Sequence, residues 1–172
     1  MLNEKVVKLL VEQVKKEFDS AYLYLDFANY YDEHGLDGFA NWFEVQAQEE
    51  RDHAMMIRRY LLDNGEKVRL LALDSQEGQY ESPMIPLQSA LEHERFVTAS
   101  IHEIYHAASE VRDYRTMEFL DWFVAEQAEE EKSADELVRK MELFGSDGKG
   151  LYALNQELLS RVHVPAADGP EM

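Results

Sequence analysis

Hydrophobic positions along this chain recur in alternating steps of four and three, which keeps them on one face of a helix. Such stripes occupy residues 4 to about 33, about 39 to 63, about 84 to 111 and about 114 to 144. Short turns separate the first stripe from the second and the third from the fourth. Because a short connection makes neighbouring helices antiparallel, the pattern predicts two helical hairpins.

The connection between the two hairpins has a different composition. Residues 66–83 show no sustained helical stripe and contain Gly78 and Pro83. A connection of this length is uncommon in a compact domain unless it crosses the length of a bundle. With a short helix predicted from about residue 150 to 159, the chain is expected to be all-α. The predicted fold is a four-helix bundle with one long crossover and a short C-terminal fifth helix, spanning residues 1–160 and followed by a flexible tail over residues 161–172.

Carboxylates interrupt each stripe near its middle, where a packed core would carry apolar side chains. The interruptions are Glu17, Glu50 with His53 one turn further on, Glu94, and Glu126 with Glu130. In an antiparallel bundle these positions fall at similar heights and therefore form one layer. Carboxylates gathered in a core drive up one another's pKa values and need a cation. Oxygen ligands with one imidazole suit iron or manganese, with zinc as an alternative, and glutamate paired with Glu-x-x-His is a recurrent di-iron pattern.

Composition excludes several other classes of site and partner. The chain has no cysteine, so disulfides and thiolate metal sites are excluded. A net charge of −18 disfavours nucleic acid as a partner and can concentrate cations instead. No stretch approaches the length of an apolar membrane span, and the N-terminus lacks an apolar signal core. We therefore expect a cytoplasmic protein with no membrane partner.

The interrupting residues give the chain a resemblance to the ferritin family, and more narrowly to the prokaryotic haem-free (non-haem) ferritins. The resemblance covers essentially the whole chain and is carried by Glu17, Tyr24, Glu50-Arg51-Asp52-His53, Glu94 and Glu126-Gln127-Ala128-Glu129-Glu130. It implies that Glu17, Glu50 and His53 hold one iron ion. It also implies that Glu50, Glu94 and Glu130 hold a second, with Glu50 bridging the two.

Further positions match residues around that centre. Those that resemble a third, more weakly held iron site are Glu49, Glu126, Glu129 and Glu130. Glu49 precedes Glu50 and so points about 100° away around the helix, toward the inner surface of an assembled shell. The alternative is that Glu49 and Glu129 are solvated acids. Tyr24 matches a tyrosine near the centre, and we expect it to act with Glu50 in catalysis; the alternative is that Tyr24 only packs in the core. Gln127 matches a glutamine beside the same centre.

Two departures separate the chain from haem-containing relatives. Bacterioferritins resembling it carry Glu-x-x-His on the fourth helix too, where this chain has Glu129 and Glu130. They also place a haem-ligating methionine directly after the bridging glutamate, at the position of Arg51. We therefore expect no haem.

The start of the fourth helix carries a second group of charged residues. In ferritins this region lines the channels at the three-fold axes, through which iron enters. The charged residues of this region are Arg115, Glu118 and Asp121, whose spacing does not reproduce the acidic pair of animal ferritins residue for residue. The alternative is an ion-pair network on the surface.

The resemblance implies an iron-storage ferroxidase. Such a protein oxidises Fe(II) with O2 or H2O2 at a centre of two iron ions within each subunit, with a possible third, and keeps the ferric product as a mineral inside a hollow 24-subunit homo-oligomer. A diiron oxidase or peroxidase without storage would use the same residues. A helical interaction protein with purely structural acids is the third hypothesis, which Fe(II) binding would exclude.

Overall fold

The computed structural model describes residues 2–165, and that part of the chain contains five helices and no strand. They are α1 (Glu4–Glu33), α2 (Asp37–Asp63), α3 (Met84–Glu110), α4 (Tyr114–Phe144) and α5 (Gly148–Leu158). Their bounds differ from the predicted ones by no more than two residues. The all-α prediction is therefore confirmed. Within residues 2–165, each helix is too short or too polar to cross a lipid bilayer.

The four long helices pack as two hairpins, as the stripes predicted. α1 packs mainly on α2 and α3 on α4, α1 also contacts α3, and α5 packs against α2 and α4. The turns after α1 and α2 use Gly35 and Gly65, whose φ angles of 69° and 78° lie in the left-handed region that glycine adopts without strain. Residues 66–83 form the crossover that brings α3 back to the other end of the bundle.

Two apolar clusters fill the bundle. One includes Phe27 and Phe43 and extends to α5, while the other includes Leu10 and Ile57 at the opposite end. Burial of these side chains stabilises the bundle independently of the acids. The clusters meet at the same height on each helix, and the acids lie at that boundary. Glu17 lies between Val14 and Ala21, Glu94 between Leu91 and Val97, and Glu130 between Phe123 and Ala134.

Two positions of the predicted stripe on α3 miss the buried face. Thr98 and Tyr105 are only partly buried, whereas Val97 and Ile104, one residue earlier in each case, are buried. The other stripe positions on α3 remain buried to its end, so the buried face here steps by three residues and then four, instead of four and then three. Steps of three and of four both keep a side chain on the same face of a helix, so the spacing alone does not decide their order.

The predicted flexible tail remains a prediction, because residues 166–172 lie outside the described part. Within the described part, two side chains that follow α5 contact α2. Arg161 bonds to Glu49, and a ring nitrogen of His163 lies 2.9 Å from Asp52 Oδ2.

Candidate metal centre

Three predicted ligands come together between α1 and α2. Glu17, Glu50 and His53 are buried, and they offer ligand atoms that all lie within 4.8 Å of one another. Glu50 and His53 are three residues apart and so share one face of α2, and the antiparallel α1 presents Glu17 opposite them. The distance from His53 Nδ1 to Glu50 Oε2 is 3.4 Å.

Two polar atoms of this group form no hydrogen bond in the described part of the chain. Glu17 Oε2 and His53 Nδ1 are buried and accept or donate no hydrogen bond within residues 2–165. Buried polar atoms are nearly always satisfied, so an unpaired imidazole nitrogen and an unpaired carboxylate oxygen in one ligand group require an explanation. A metal cation bonded to both atoms supplies one, and oxygen and imidazole donors fit iron.

A second group shares the same imidazole. His53, Glu126 and Glu130 also offer ligand atoms within 4.8 Å of one another, and His53 Nε2 lies 4.0 Å from Glu126 Oε1. The ring therefore presents one nitrogen toward Glu50 and the other toward Glu126. The resemblance placed Glu126 in the third iron site alone, whereas here it also lies beside the ring of a predicted ligand to the first.

Glu94 is in neither ligand group within residues 2–165, although it is buried in the same layer. The Tyr24 hydroxyl donates to Glu94 Oε1, and Gln127 Nε2 donates to Oε2 at 3.1 Å. Tyr24 and Gln127, both predicted to lie beside the centre, therefore hold the Glu94 carboxylate. Sharing of a second metal by Glu50, Glu94 and Glu130 remains a prediction.

Burial shifts the acids of the layer toward their protonated forms. It raises the pKa of Glu17 from 4.5 to about 8, and the charge of Glu50 contributes to the shift. It also raises the pKa values of Glu50 and Glu130 well above the ordinary range, and the charge of Glu94 adds to both shifts. A metal ion bound here would have to displace protons from carboxyl groups.

Two buried glutamines hold predicted ligands, and sequence reasoning assigned them no role. Gln13 Nε2 donates to Glu17 Oε1 at 2.9 Å. Gln46 Nε2 donates to Glu130 Oε2 at 2.6 Å and to Glu50 Oε1 at 3.3 Å. A signal was present in the sequence: on both α1 and α2 a glutamine stands four residues before the stripe glutamate, the spacing at which side chains meet on a helix.

The acids predicted for a third site lie at the edge of the layer. Glu49 is partly buried and Glu129 is exposed. Burial raises the pKa of Glu126, and the charges of Glu129 and Glu49 raise it further, so the three acids interact. Beside them is a cavity of about 230 Å³, lined by Glu49, Asp52, His53, Trp122, Glu126, Val164 and Pro165.

The charged residues predicted at a channel do not pair with one another. Arg115 donates to Asn64 Oδ1 at 2.8 Å, and Asp121 accepts from the Tyr105 hydroxyl at 3.0 Å. Glu118 is exposed, and within residues 2–165 it forms no ion pair with Arg115. The ion-pair network considered as the alternative is therefore not formed in this part of the chain, and the channel role remains a prediction.

The family model described as a ferritin-like domain matches residues 7–144. This chain belongs to the ferritin family. It is 36% identical over 158 residues to the probable bacterial non-heme ferritin-like protein of Haemophilus influenzae, covering 92% of this chain and 96% of that protein. It is 38% identical over 156 residues to the bacterial non-heme ferritin of Campylobacter jejuni, covering 91% and 93%. The predicted resemblance to non-haem ferritins is confirmed.

Solved ferritin structures share the architecture. A humanized archaeal ferritin superposes with a TM-score of 0.94 at 41% identity, covering 96% of this chain and all of that one. An engineered closed form of the Archaeoglobus fulgidus ferritin gives a TM-score of 0.93 at 41% identity, covering 95% of this chain and all of that one. The ferritin-like bundle with its crossover and fifth helix is thereby confirmed.

Proposed function

We propose that this ferritin is an iron-storage ferroxidase, with Fe(II) as its substrate. The observation that carries the proposal is the buried group of Glu17, Glu50 and His53, in which a carboxylate oxygen and an imidazole nitrogen form no hydrogen bond with any residue from 2 to 165. Membership of the ferritin family supports iron over the manganese or zinc that the same donors would accept. Its relatives in Haemophilus influenzae and Campylobacter jejuni are named as a non-heme ferritin-like protein and a non-heme ferritin, which supports a centre that works without haem.

The reaction would remove one electron from each of two Fe(II) ions and pass both electrons, together with two protons, to O2 to give H2O2 or to H2O2 to give two water molecules. The protein supplies donors in a fixed arrangement, while the metal ions supply the redox chemistry. Glu17, Glu50 and His53 would hold the first ion, and Glu50, Glu94 and Glu130 the second, with Glu50 as the bridge. Anionic oxygen donors favour Fe(III) over Fe(II), because the higher charge gains more from each carboxylate.

Tyr24 would act by holding Glu94. Burial raises its pKa well above 10, and the charge of Glu94 adds to the shift, so the phenol keeps its proton and remains a donor. Its hydroxyl and the Gln127 amide both donate to the same carboxylate, from α1 and α4. Such donors around a ligand fix its orientation and tune the bound metal.

Storage requires a compartment for the ferric product. We propose that the chain assembles into a hollow shell of 24 subunits in which Fe(III) hydrolyses to a mineral. Glu49, Glu126, Glu129 and Glu130 would bind a third iron ion beside the centre. The net charge of −18 would help to attract Fe(II) to each subunit.

Aerobic addition of Fe(II) to purified apoprotein tests the proposal. Ferric absorbance, iron content and particle size are followed as iron is added in steps. A storage protein takes up far more iron than the two or three ions of its centres and forms particles of one size. Uptake that stops at two or three ions per subunit indicates a diiron oxidase or peroxidase, and no uptake excludes both functions.

A further inference from the structure

Arg161 lies just beyond α5, yet it is fixed against α2. Its Nη2 donates to Glu49 Oε2 at 2.5 Å and to Gln46 Oε1 at 2.9 Å. Its Nη1 donates to the Trp42 carbonyl oxygen at 3.1 Å, and the guanidinium lies 4.6 Å from the centre of the Trp42 ring. Three hydrogen bonds and a stacked ring are the kind of site for which arginine is suited and lysine is not.

The contact with Gln46 has a consequence for two predicted iron ligands. A guanidinium only donates hydrogen bonds, so it holds the oxygen of the Gln46 amide toward itself. The amide nitrogen then faces Glu130 Oε2 and Glu50 Oε1, to which it donates. A reversed amide would place its oxygen against two carboxylates. Arg161 thus selects the amide orientation that satisfies one carboxylate from α2 and one from α4.

The contact with Glu49 concerns the third site. Glu49 is one of the four acids expected to bind the third ion, and the guanidinium already neutralises it. The pair is mostly withdrawn from solvent, with side chains 25% and 23% exposed. A metal ion that takes Glu49 as a ligand must therefore displace Arg161 or share the carboxylate with it.

We propose that Arg161 is a positioning residue for the iron centre, which acts through Gln46, and that it is the counterion a third metal ion must displace from Glu49. The inference rests on the proposed function, because it takes the ligand sets from there. It assigns to the segment after α5 two effects: on how strongly the third ion binds, through Glu49, and on the geometry of the first two sites, through Gln46.

The test is an anaerobic titration of the apoprotein with Co(II), followed by visible absorption and calorimetry. Replacing Arg161 by glutamine removes both contacts. We expect the Kd for the third ion to fall by about fivefold, the upper range for one partly exposed ion pair. We also expect the Co(II) absorption of the first two sites to change, since Gln46 no longer has a fixed orientation.

Two further variants separate the contributions of charge and positioning. Arg161→Lys keeps the charge near Glu49 but cannot make the forked contact, so the Kd for the third ion should stay near that of the parent while the spectrum changes. Gln46→Met removes the amide between Arg161 and the two carboxylates but leaves Arg161 beside Glu49. It should therefore change the Co(II) spectrum and leave the Kd for the third ion near that of the parent. The matched control is Lys140→Gln, which removes the 2.6 Å hydrogen bond from Lys140 on α4 to Glu157 on α5. It should change neither the Kd for the third ion nor the Co(II) spectrum.

The outcomes distinguish this inference from the proposed function. Two or three bound Co(II) ions in the parent, with the same Kd values and spectrum in Arg161→Gln, would overturn the inference and leave the proposed function standing. No bound Co(II) in the parent would overturn both. If Arg161→Gln does not fold, as judged by its circular dichroism, the Arg161→Lys and Gln46→Met spectra decide, and parental spectra in both would reject the positioning role.

Discussion

The carboxylates of this ferritin form two neighbouring groups that are compensated in different ways. In the inner group, Glu17, Glu50 and His53 lie in the buried layer between two apolar clusters, and two of their polar atoms form no hydrogen bond in the described part of the chain. In the outer group, Glu49 has a protein cation, Arg161, and Glu129 is exposed to water.

The difference shows that burial, and not the number of acids, decides which group needs a metal ion. An exposed acid is stabilised by water and an acid beside arginine by the guanidinium, whereas a buried acid without either must hold a proton or a metal ion. The inner group should therefore bind cations tightly and be indispensable, while the outer group should bind them weakly.

The largest expected effect is that of Glu50→Ala. A bridging carboxylate serves both ions, so its loss should slow rapid Fe(II) oxidation by more than about a hundredfold, beyond the 10- to 100-fold effect typical of residues that only support a ligand. The apoprotein should unfold at an unchanged or higher temperature, because a buried acid is removed. Stopped-flow absorbance and thermal unfolding measure the two effects. Glu44→Ala, an exposed acid on the same helix, is the control and should behave as the parent in both.

The second prediction concerns pH. The pKa of Glu17 is raised from 4.5 to about 8, so between these values the folded chain holds a proton that the unfolded chain releases. Raising the pH across that range therefore favours the unfolded chain, and the free energy of unfolding of the apoprotein should fall. Denaturant unfolding at several pH values from 5 to 8 measures it, and Glu17→Gln should reduce the slope. Stability that rises with pH in the apoprotein would contradict the account of the inner group.

A smaller effect is expected for Tyr24→Phe. It removes one of the two donors to Glu94 and should weaken anaerobic binding of the second metal ion by about tenfold. Tyr31→Phe is the matched control, because it removes a buried hydroxyl that donates to the Pro83 carbonyl, away from the centre. It should lower the thermal stability without changing the affinity for metal. Equal affinities in the two variants would reduce Tyr24 to a packing residue.

The smallest expected effect is in the outer group. Replacing Glu49 and Glu129 together by alanine should leave the initial oxidation of two Fe(II) ions almost intact, while the ratio of iron oxidised to oxygen consumed and the later turnover change. Anaerobic Fe(II) titration and an oxygen electrode measure these quantities. Two Fe(II) sites per subunit in both the parent and the double variant would mean that no third site exists.

The bundle could be predicted from sequence because its signals are local. Stripe spacing, turn glycines and the proline-containing crossover can each be read from a short stretch of sequence. The buried layer could be predicted too, because Glu17 and Glu50 interrupt otherwise apolar stripes. The contacts of Arg161 could not be predicted, since they join residues more than a hundred positions apart and depend on the path of the chain after α5. Glu94 was predicted as a ligand, but its partners Tyr24 and Gln127 became apparent only once three helices were packed.

The most direct test of the account is a crystal structure of the protein soaked anaerobically with Fe(II), with anomalous scattering measured at the iron edge. We predict an iron ion bonded to Glu17 Oε2, a Glu50 carboxylate oxygen and His53 Nδ1, because these atoms are buried together and the first and last form no hydrogen bond within residues 2–165. Absence of anomalous density between them, with Glu17 and His53 bonded to water or to each other instead, would contradict the claim that this layer is built around a metal ion.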